Sequence, residues 1–287
     1  MLFNLLIVVI GINLSVYNEM IHSCGVPAIR PSIKIKHLNR IISGVSANAN
    51  SWPWVVSIRF DNGTHKNHIC GGSLIRAQYV LTAANCVYNK QAKHLSAVVG
   101  SHRLDEMLTP ENNIGVKRVA SHSKFSIRGV GDNIAILKLD KALNLSEKIS
   151  TICLPPNTNE AFAFNKNAVI AGWGSTTGWS NYESVSPDLH QIQLRVMNGE
   201  PKCKIYEHFT YCAQDESENK SNICYGDAGS PMMMARRNRW FLYGIASFVT
   251  VTTDRFTCVN AEPSYFSIVP RYLRWIYSTL NAFKRKG

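Results

Sequence analysis

The side chains best able to do chemistry in this sequence are its eight cysteines: Cys24, Cys70, Cys86, Cys153, Cys203, Cys212, Cys224 and Cys258. Their number is even and an apolar leader precedes them, which points to disulfides made in an oxidising compartment. No CxxC pair and no His-rich cluster has zinc-site spacing, so neither a metal nor a cofactor is expected. The histidines are scattered, and His65, His68, His94 and His102 read as loop residues. Asn62-Gly-Thr, Asn144-Leu-Ser and Asn219-Lys-Ser are N-glycan acceptor triplets, of a kind that also occurs by chance. Cations gather in two places. Arg236, Arg237 and Arg239 form a tight basic loop, and Arg271, Arg274, Lys284, Arg285 and Lys286 lie on or after the last helical element. Each group is either a site for a heparin-like polyanion or a solvated basic face.

These groups sit on a chain of 287 residues, 45% hydrophobic and 17% charged, with a net charge of +12. That is globular composition with ample core material for one or two domains. Met1 to about Val16 is apolar but too short to span a bilayer. Residues 1–23 read as a secretory signal cut near Ser23, and no later stretch suits a membrane helix. Short apolar runs follow at Val55–Phe60, Ser73–Ile75, Val80–Thr82, Ala97–Val99, Val116–Ala120, Ile134–Leu139, Ala168–Ala171 and Phe241–Phe248. Gly, Asn, Asp and Ser clusters separate many of them, which indicates an all-β barrel or sandwich. Tyr272, Leu273, Ile276, Tyr277, Leu280 and Phe283 recur at helical spacing after Pro270, so the chain ends in an amphipathic helix.

Several segments carry a resemblance. CGGSLI at Cys70–Ile75 and LTAANC at Leu81–Cys86 resemble the chymotrypsin-like serine proteases, as do SWPW at Ser51–Trp54, ICLP at Ile152–Pro155, GWG at Gly172–Gly174 and GDAGSP at Gly226–Pro231. CGVPAIRP at Cys24–Pro31 looks like the start of a chymotrypsinogen propeptide, and RIISG at Arg40–Gly44 like an activation junction. The anchors stand in family order over essentially the whole secreted chain. The resemblance implies two six-stranded antiparallel β-barrels with a cleft between them and a C-terminal helix. It divides the chain into the signal, a propeptide-like segment at 24–40 and a protease-like domain at 41–287. It implies the disulfides Cys24–Cys153, Cys70–Cys86, Cys203–Cys212 and Cys224–Cys258. One bridge common in the family is missing at both ends, where Ala168 and Met234 stand.

The same resemblance places the catalytic positions, and all three carry another residue. Asn85 stands for the histidine, Asn133 for the aspartate and Ala228 for the serine. An amide has no protonation equilibrium near neutral pH and a methyl group has no attacking oxygen, so the usual base, orienting carboxylate and nucleophile are all absent. Asp132 and Ser230 are the conceivable substitutes; Asp132 is expected to face away, and no motif brings a base to Ser230. Gly226 and Ala228 would supply oxyanion-hole N–H groups. Cleavage after Arg40 would free Ile41 to pair with Asp227. Asn222 would lie at the base of the specificity pocket, near Ser247, with Val249 and Ser264 where active relatives usually carry wall glycines. The pocket is then either of another shape or narrowed or filled, and the second reading is favoured. Ser101 follows Gly100 where the family's calcium loop often has an acid, so calcium is not carried over. The expected function is a secreted, extracellular, monomeric pseudoprotease that binds a protease, an inhibitor or a receptor, or a polyanionic surface. Nucleic acid is not an expected partner. The alternative is a serine endopeptidase with residual or relocated catalysis.

Overall fold

The computed structural model describes residues 24–33, 44–178, 184–217 and 220–285. Six strands close the first barrel: β2 (Val55–Asp61), β3 (Lys66–Arg76), β4 (Tyr79–Thr82), β5 (Leu95–Val99), β6 (Asn113–Ser121) and β7 (Ala135–Leu139), paired in the order β2-β3-β4-β7-β6-β5. The second barrel comprises β8 (Asn167–Gly172), β9 (His190–Val196), β10 (Thr210–Gln214), β11 (Pro231–Arg236), β12 (Arg239–Val249) and β13 (Ser264–Ile268). Its strands run β9-β10-β13-β12-β11-β8, and β8 pairs back onto β9 to close it. A two-residue strand, β1 (Val45–Ser46), adds to β9. A single-turn helix, α1 (Ala84–Val87), follows β4, and α2 (Leu273–Arg285) ends the described chain.

The runs expected from sequence all fall on strands, namely β2 to β8 and β12. β1, β9, β10, β11 and β13 escaped that reading. β10 and β13 are buried along their whole length but carry Thr210 and Gln214, or Ser264 and Ser267, which interrupt any apolar run. β11 opens on a proline followed by three methionines, a composition with weak strand preference.

Closing each barrel removes its free edges, and the apolar side chains left on the facing surfaces join the barrels. Trp54 is fully buried and donates its indole N–H to Met233 Sδ at 3.0 Å. Trp52 meets Trp240 edge-to-face at 4.7 Å and donates to Gln191 Oε1 at 2.8 Å. Both belong to a core shared by the two barrels and α2. α2 buries Leu273, Ile276, Leu280 and Phe283, while Tyr277, expected on that face, is 44% exposed. Phe283 stacks on Tyr79 of the first barrel.

The four disulfides join Cys24 to Cys153, Cys70 to Cys86, Cys203 to Cys212 and Cys224 to Cys258, the pairs implied by the resemblance. The first holds the segment before the barrels against the second of them. Gly25 N–H donates to Thr151 O at 2.7 Å and its carbonyl accepts from Trp240 N–H at 2.8 Å. Asn62 is exposed in the β2–β3 turn, where its side-chain oxygen accepts from Thr64 and His65 N–H. Asn144 is exposed in the loop after β7, and Asn219 lies outside the described residues.

Candidate functional site

Asn85, Asn133 and Ala228, the positions that the resemblance sets at the catalytic residues, are brought near one another from different elements. β4 ends at Thr82, and α1 places Asn85 with Cys86 tied to Cys70 beside it. Asn133 lies just before β7, after Asp132 in a left-handed conformation (φ 56°) that turns the chain. Ala228 lies in the turn before β11. Asn133 is nearly fully buried, and its amide is used on both sides: Oδ1 accepts the Asn85 backbone N–H at 2.9 Å and Nδ2 donates to Ser247 Oγ at 2.8 Å. Its carbonyl accepts from Ser267 Oγ at 2.8 Å. The first-barrel loop is thereby hydrogen-bonded to β12 and β13 of the second. Asn85 Nδ2 makes one long contact, 3.5 Å, to Ser247 O, and its Oδ1 has no partner among the described residues.

The turn holding Ala228 is fixed on nearly every side. Gly226 O accepts from His68 Nε2 at 3.0 Å, Ala228 O accepts from Gly71 N–H at 2.8 Å, and Gly229 N–H donates to Ala246 O at 2.8 Å. Asp227 N–H donates to Cys224 O, and Ser230 N–H donates to Asp227 O. Gly226 and Gly229 adopt positive φ, and a Cβ at Gly229 would collide with Gly71 O and Thr82 Oγ1.

His68 is the residue that sequence reading missed. It lies on β3, not in a loop, and is 5% exposed. A carbonyl only accepts, so Nε2 carries the proton toward Gly226, and Nδ1 then accepts from Ser57 Oγ at 2.8 Å. Burial is the main cause that lowers its pKa to about 4, so the ring is neutral at pH 7. The available signal was position: His68 stands two residues before Cys70 in the strand that carries the CGGSLI segment. His65 and His102 do lie in loops, and His94 ends a short 3-10 turn.

The profile of the trypsin family matches residues 41–276. The chain belongs to the trypsin family. Within this trypsin-family domain the cleft opens into a cavity of about 320 Å³ lined by Asn85, Gly226, Ala228, Ser247, Val249 and Lys90, among others. Asn222 and Ser264, expected in the pocket, do not line it. Ser264 Oγ donates to Asn222 Oδ1, and Asn222 Nδ2 donates to Val259 O at 3.1 Å and Glu262 O at 3.0 Å. Their polar atoms satisfy one another behind the cavity, which leaves its walls to Ile223, Phe248, Val249 and Val251.

Neither Ser230 nor Asp132 lines the cavity of this trypsin-family domain. Ser230 is completely buried, packed against Gly71 and Gly172. Asp132 turns to His122, with 3.2 Å between Oδ1 and Nδ1. Asp227 accepts from Gly174 N–H at 2.9 Å and Cys224 N–H at 3.0 Å, and has no ion-pair partner among the described residues. It lines a small cavity with Gly172, Gly174 and Ile192, and burial raises its pKa to about 6. A side chain at Gly172 or Gly174 would collide with that carboxylate. Arg40 and Ile41 lie outside the described residues.

The cationic groups lie on two elements. Arg236 ends β11 and Arg239 begins β12 across a two-residue turn whose Arg237 and Asn238 both have positive φ. Arg236 lies 5.1 Å from the Phe162 ring, with Lys166 3.4 Å from the same ring. Arg274, Lys284 and Arg285 are exposed on α2, and Lys286 lies outside the described residues. Arg271 precedes α2 and is taken up by Glu160. No helix among the described residues is long and apolar enough to cross a membrane.

Proposed function

We propose that this chain is a secreted pseudoprotease, which receives a protein partner in its cleft and does not cut it. One observation carries the reading: Asn133, in the position of the orienting carboxylate, spends both ends of its amide joining Asn85 to Ser247. That network needs no imidazole and no proton transfer. Ala228 adds a methyl group where hydrolysis needs an oxygen. The burial of Ser230 and the pairing of Asp132 with His122 both speak against relocated catalysis. Four disulfides suit an oxidising, extracellular setting. Residues 1–23 serve as signal and 24–40 as propeptide, and glycans sit on the exposed Asn62 and Asn144.

Cleavage between Arg40 and Ile41 acts in this proposal as a conformational step. A buried carboxylate without a cation is costly, and a new α-ammonium beside Asp227 would neutralise it. The test is incubation of the purified protein, before and after tryptic cleavage at Arg40, with a mixed peptide library and an active-site-directed fluorophosphonate. The expected result is no turnover and no adduct in either form. Turnover that is lost on changing Ser230 or Asp132 would show a working catalytic site and end the pseudoprotease reading.

A further inference from the structure

We infer that the tip of the β11–β12 hairpin, together with Lys166, is a binding site for a sulfated polysaccharide. None of its residues lines the cleft cavity, so the site is independent of what the cleft does. Arg236 and Arg239 stand opposite one another across the hairpin, and directly opposed residues project from the same face of a sheet. Lys166 immediately precedes β8, the strand that runs beside β11. Its Nζ lies 3.4 Å from the centre of the Phe162 ring, and the Arg236 guanidinium lies 5.1 Å from the same centre. Phe162 stacks on the buried Tyr243, and Arg236 donates to the Tyr243 hydroxyl. The rings thus hold two long cationic side chains beside each other, so an anion that binds them has little rotamer freedom left to freeze.

Like charges this close repel. Lys166, Arg236 and Arg237 make no ion pair among the described residues. Arg195, opposite Asn167 on β9, is by contrast met by Glu200 and Glu216. Arg237 opens the two-residue turn with φ 48°, a left-handed conformation uncommon for arginine and readily taken by asparagine or glycine. An arginine there costs stability twice, in backbone conformation and in repulsion, and a bound anion offsets the second. The cations at the end of α2 have a sufficient structural account: Lys284 and Arg285 lie in its last turn, where positive charge complements the helix dipole.

Guanidinium groups clasp an oxyanion through paired N–H bonds, and several cations side by side suit a chain with repeated charges. A surface that enters a lipid headgroup layer also offers apolar side chains for insertion. Among the described residues, none of the large exposed hydrophobics falls within 160–166 or 235–240, and the Phe162 ring is partly covered by its two cations. That favours a sulfated polysaccharide over an anionic membrane.

The probe is a fluorescein-labelled heparin hexasaccharide, titrated into the full chain by fluorescence anisotropy at about 0.15 M salt. Unlabelled hyaluronan hexasaccharide, which bears carboxylates and no sulfate, and phosphatidylserine vesicles serve as competitors. Both should compete about tenfold or more weakly than unlabelled heparin hexasaccharide. Arg236→Gln combined with Arg237→Asn should weaken binding about tenfold or more and reduce its salt dependence by about two charges. Lys284→Gln combined with Arg285→Gln, an equal loss of charge, should change it by less than about twofold. Arg237→Asn alone should keep or raise the Tm while weakening binding, a combination that a merely structural arginine would not give. Equal losses from the two double variants would reduce the effect to net charge and overturn the site. Failure of the sulfated probe to bind, or equal competition by hyaluronan, would overturn it too. Vesicles that compete better than the sulfated chain would replace the polysaccharide with a lipid surface.

Discussion

Two buried titratable residues flank the Ala228 turn, and they pull stability in opposite directions with pH. His68 has its pKa lowered from 6.5 to about 4, chiefly by burial. The folded state therefore binds fewer protons than the unfolded one, and the stability His68 allows is complete above pH 6.5 and lost as pH falls toward 4. Asp227 has its pKa raised from 3.8 to about 6, again by burial. Here the folded state holds the extra proton, so its penalty is absent below pH 3.8 and complete above pH 6. Each slope reaches at most about 1.4 kcal/mol per pH unit. Thermal melts between pH 4 and 6.5 should show the two largely cancelling in the unaltered chain. His68→Gln should become more stable as pH falls across that window, and Asp227→Asn less stable. Identical slopes in all three proteins would refute the account. At this scale the family-like motifs located Asn85, Asn133 and Ala228, because a motif fixes a position by the identity of its neighbours. The sequence hid His68, Asn133's double role and the Asn222–Ser264 pair, because each depends on a partner far away in the chain.

The adjoining strands β8 and β11 carry the missing bridge. Met232 lies opposite Ile170 and Met233 opposite Val169. The next step of that register sets Met234 beside Ala168, and both are buried in the core of the second barrel. A large and a small side chain fill the space that a disulfide fills elsewhere in the family. Ala168→Cys combined with Met234→Cys should form the bridge on oxidation. It should stabilise by up to about 4 kcal/mol for a closed loop of about 66 residues, less whatever the lost thioether packing contributed. Calorimetry of the oxidised against the reduced double variant measures the difference, and a lower Tm in the oxidised form would refute the prediction. Strand legibility follows from the same physics. β2 and β12 were readable as branched and aromatic runs. β11 was not, since methionine fills irregular cores without favouring strands, and in β10 and β13 buried Thr, Gln and Ser residues interrupt the apolar run.

Over the whole molecule, the two barrels are joined by polar contacts through Asn133 and Ala228 and by the tryptophans around Met233. This join is what a cut at Arg40 is proposed to tighten. Its gain requires an ionised Asp227 and a protonated α-amino group, and the pair itself lowers the Asp227 pKa in the cut form, so the gain is full near pH 7 and fades in acid. Scanning calorimetry should show the cut form melting above the uncut form at pH 7, with the difference shrinking as pH falls. A constant difference at every pH would point to a cause other than this ion pair. The two-barrel architecture was readable from motif order along the chain. The closure of the second barrel by β8 on β9 was not, because strand partners are set by packing in three dimensions.

The thioether of Met233, held in the core by the Trp54 indole, also bears on how the protein ages. Met232, Met233 and Met234 are all buried, whereas Met107 is 82% exposed. Peroxide should therefore reach Met107 first and convert it to the sulfoxide with little structural effect. A polar sulfoxide at Met233 would sit in the apolar seam between the barrels. Oxidative damage in this protein thus has a tolerant surface stage and a destructive interior one, divided by whether the barrels have already begun to part.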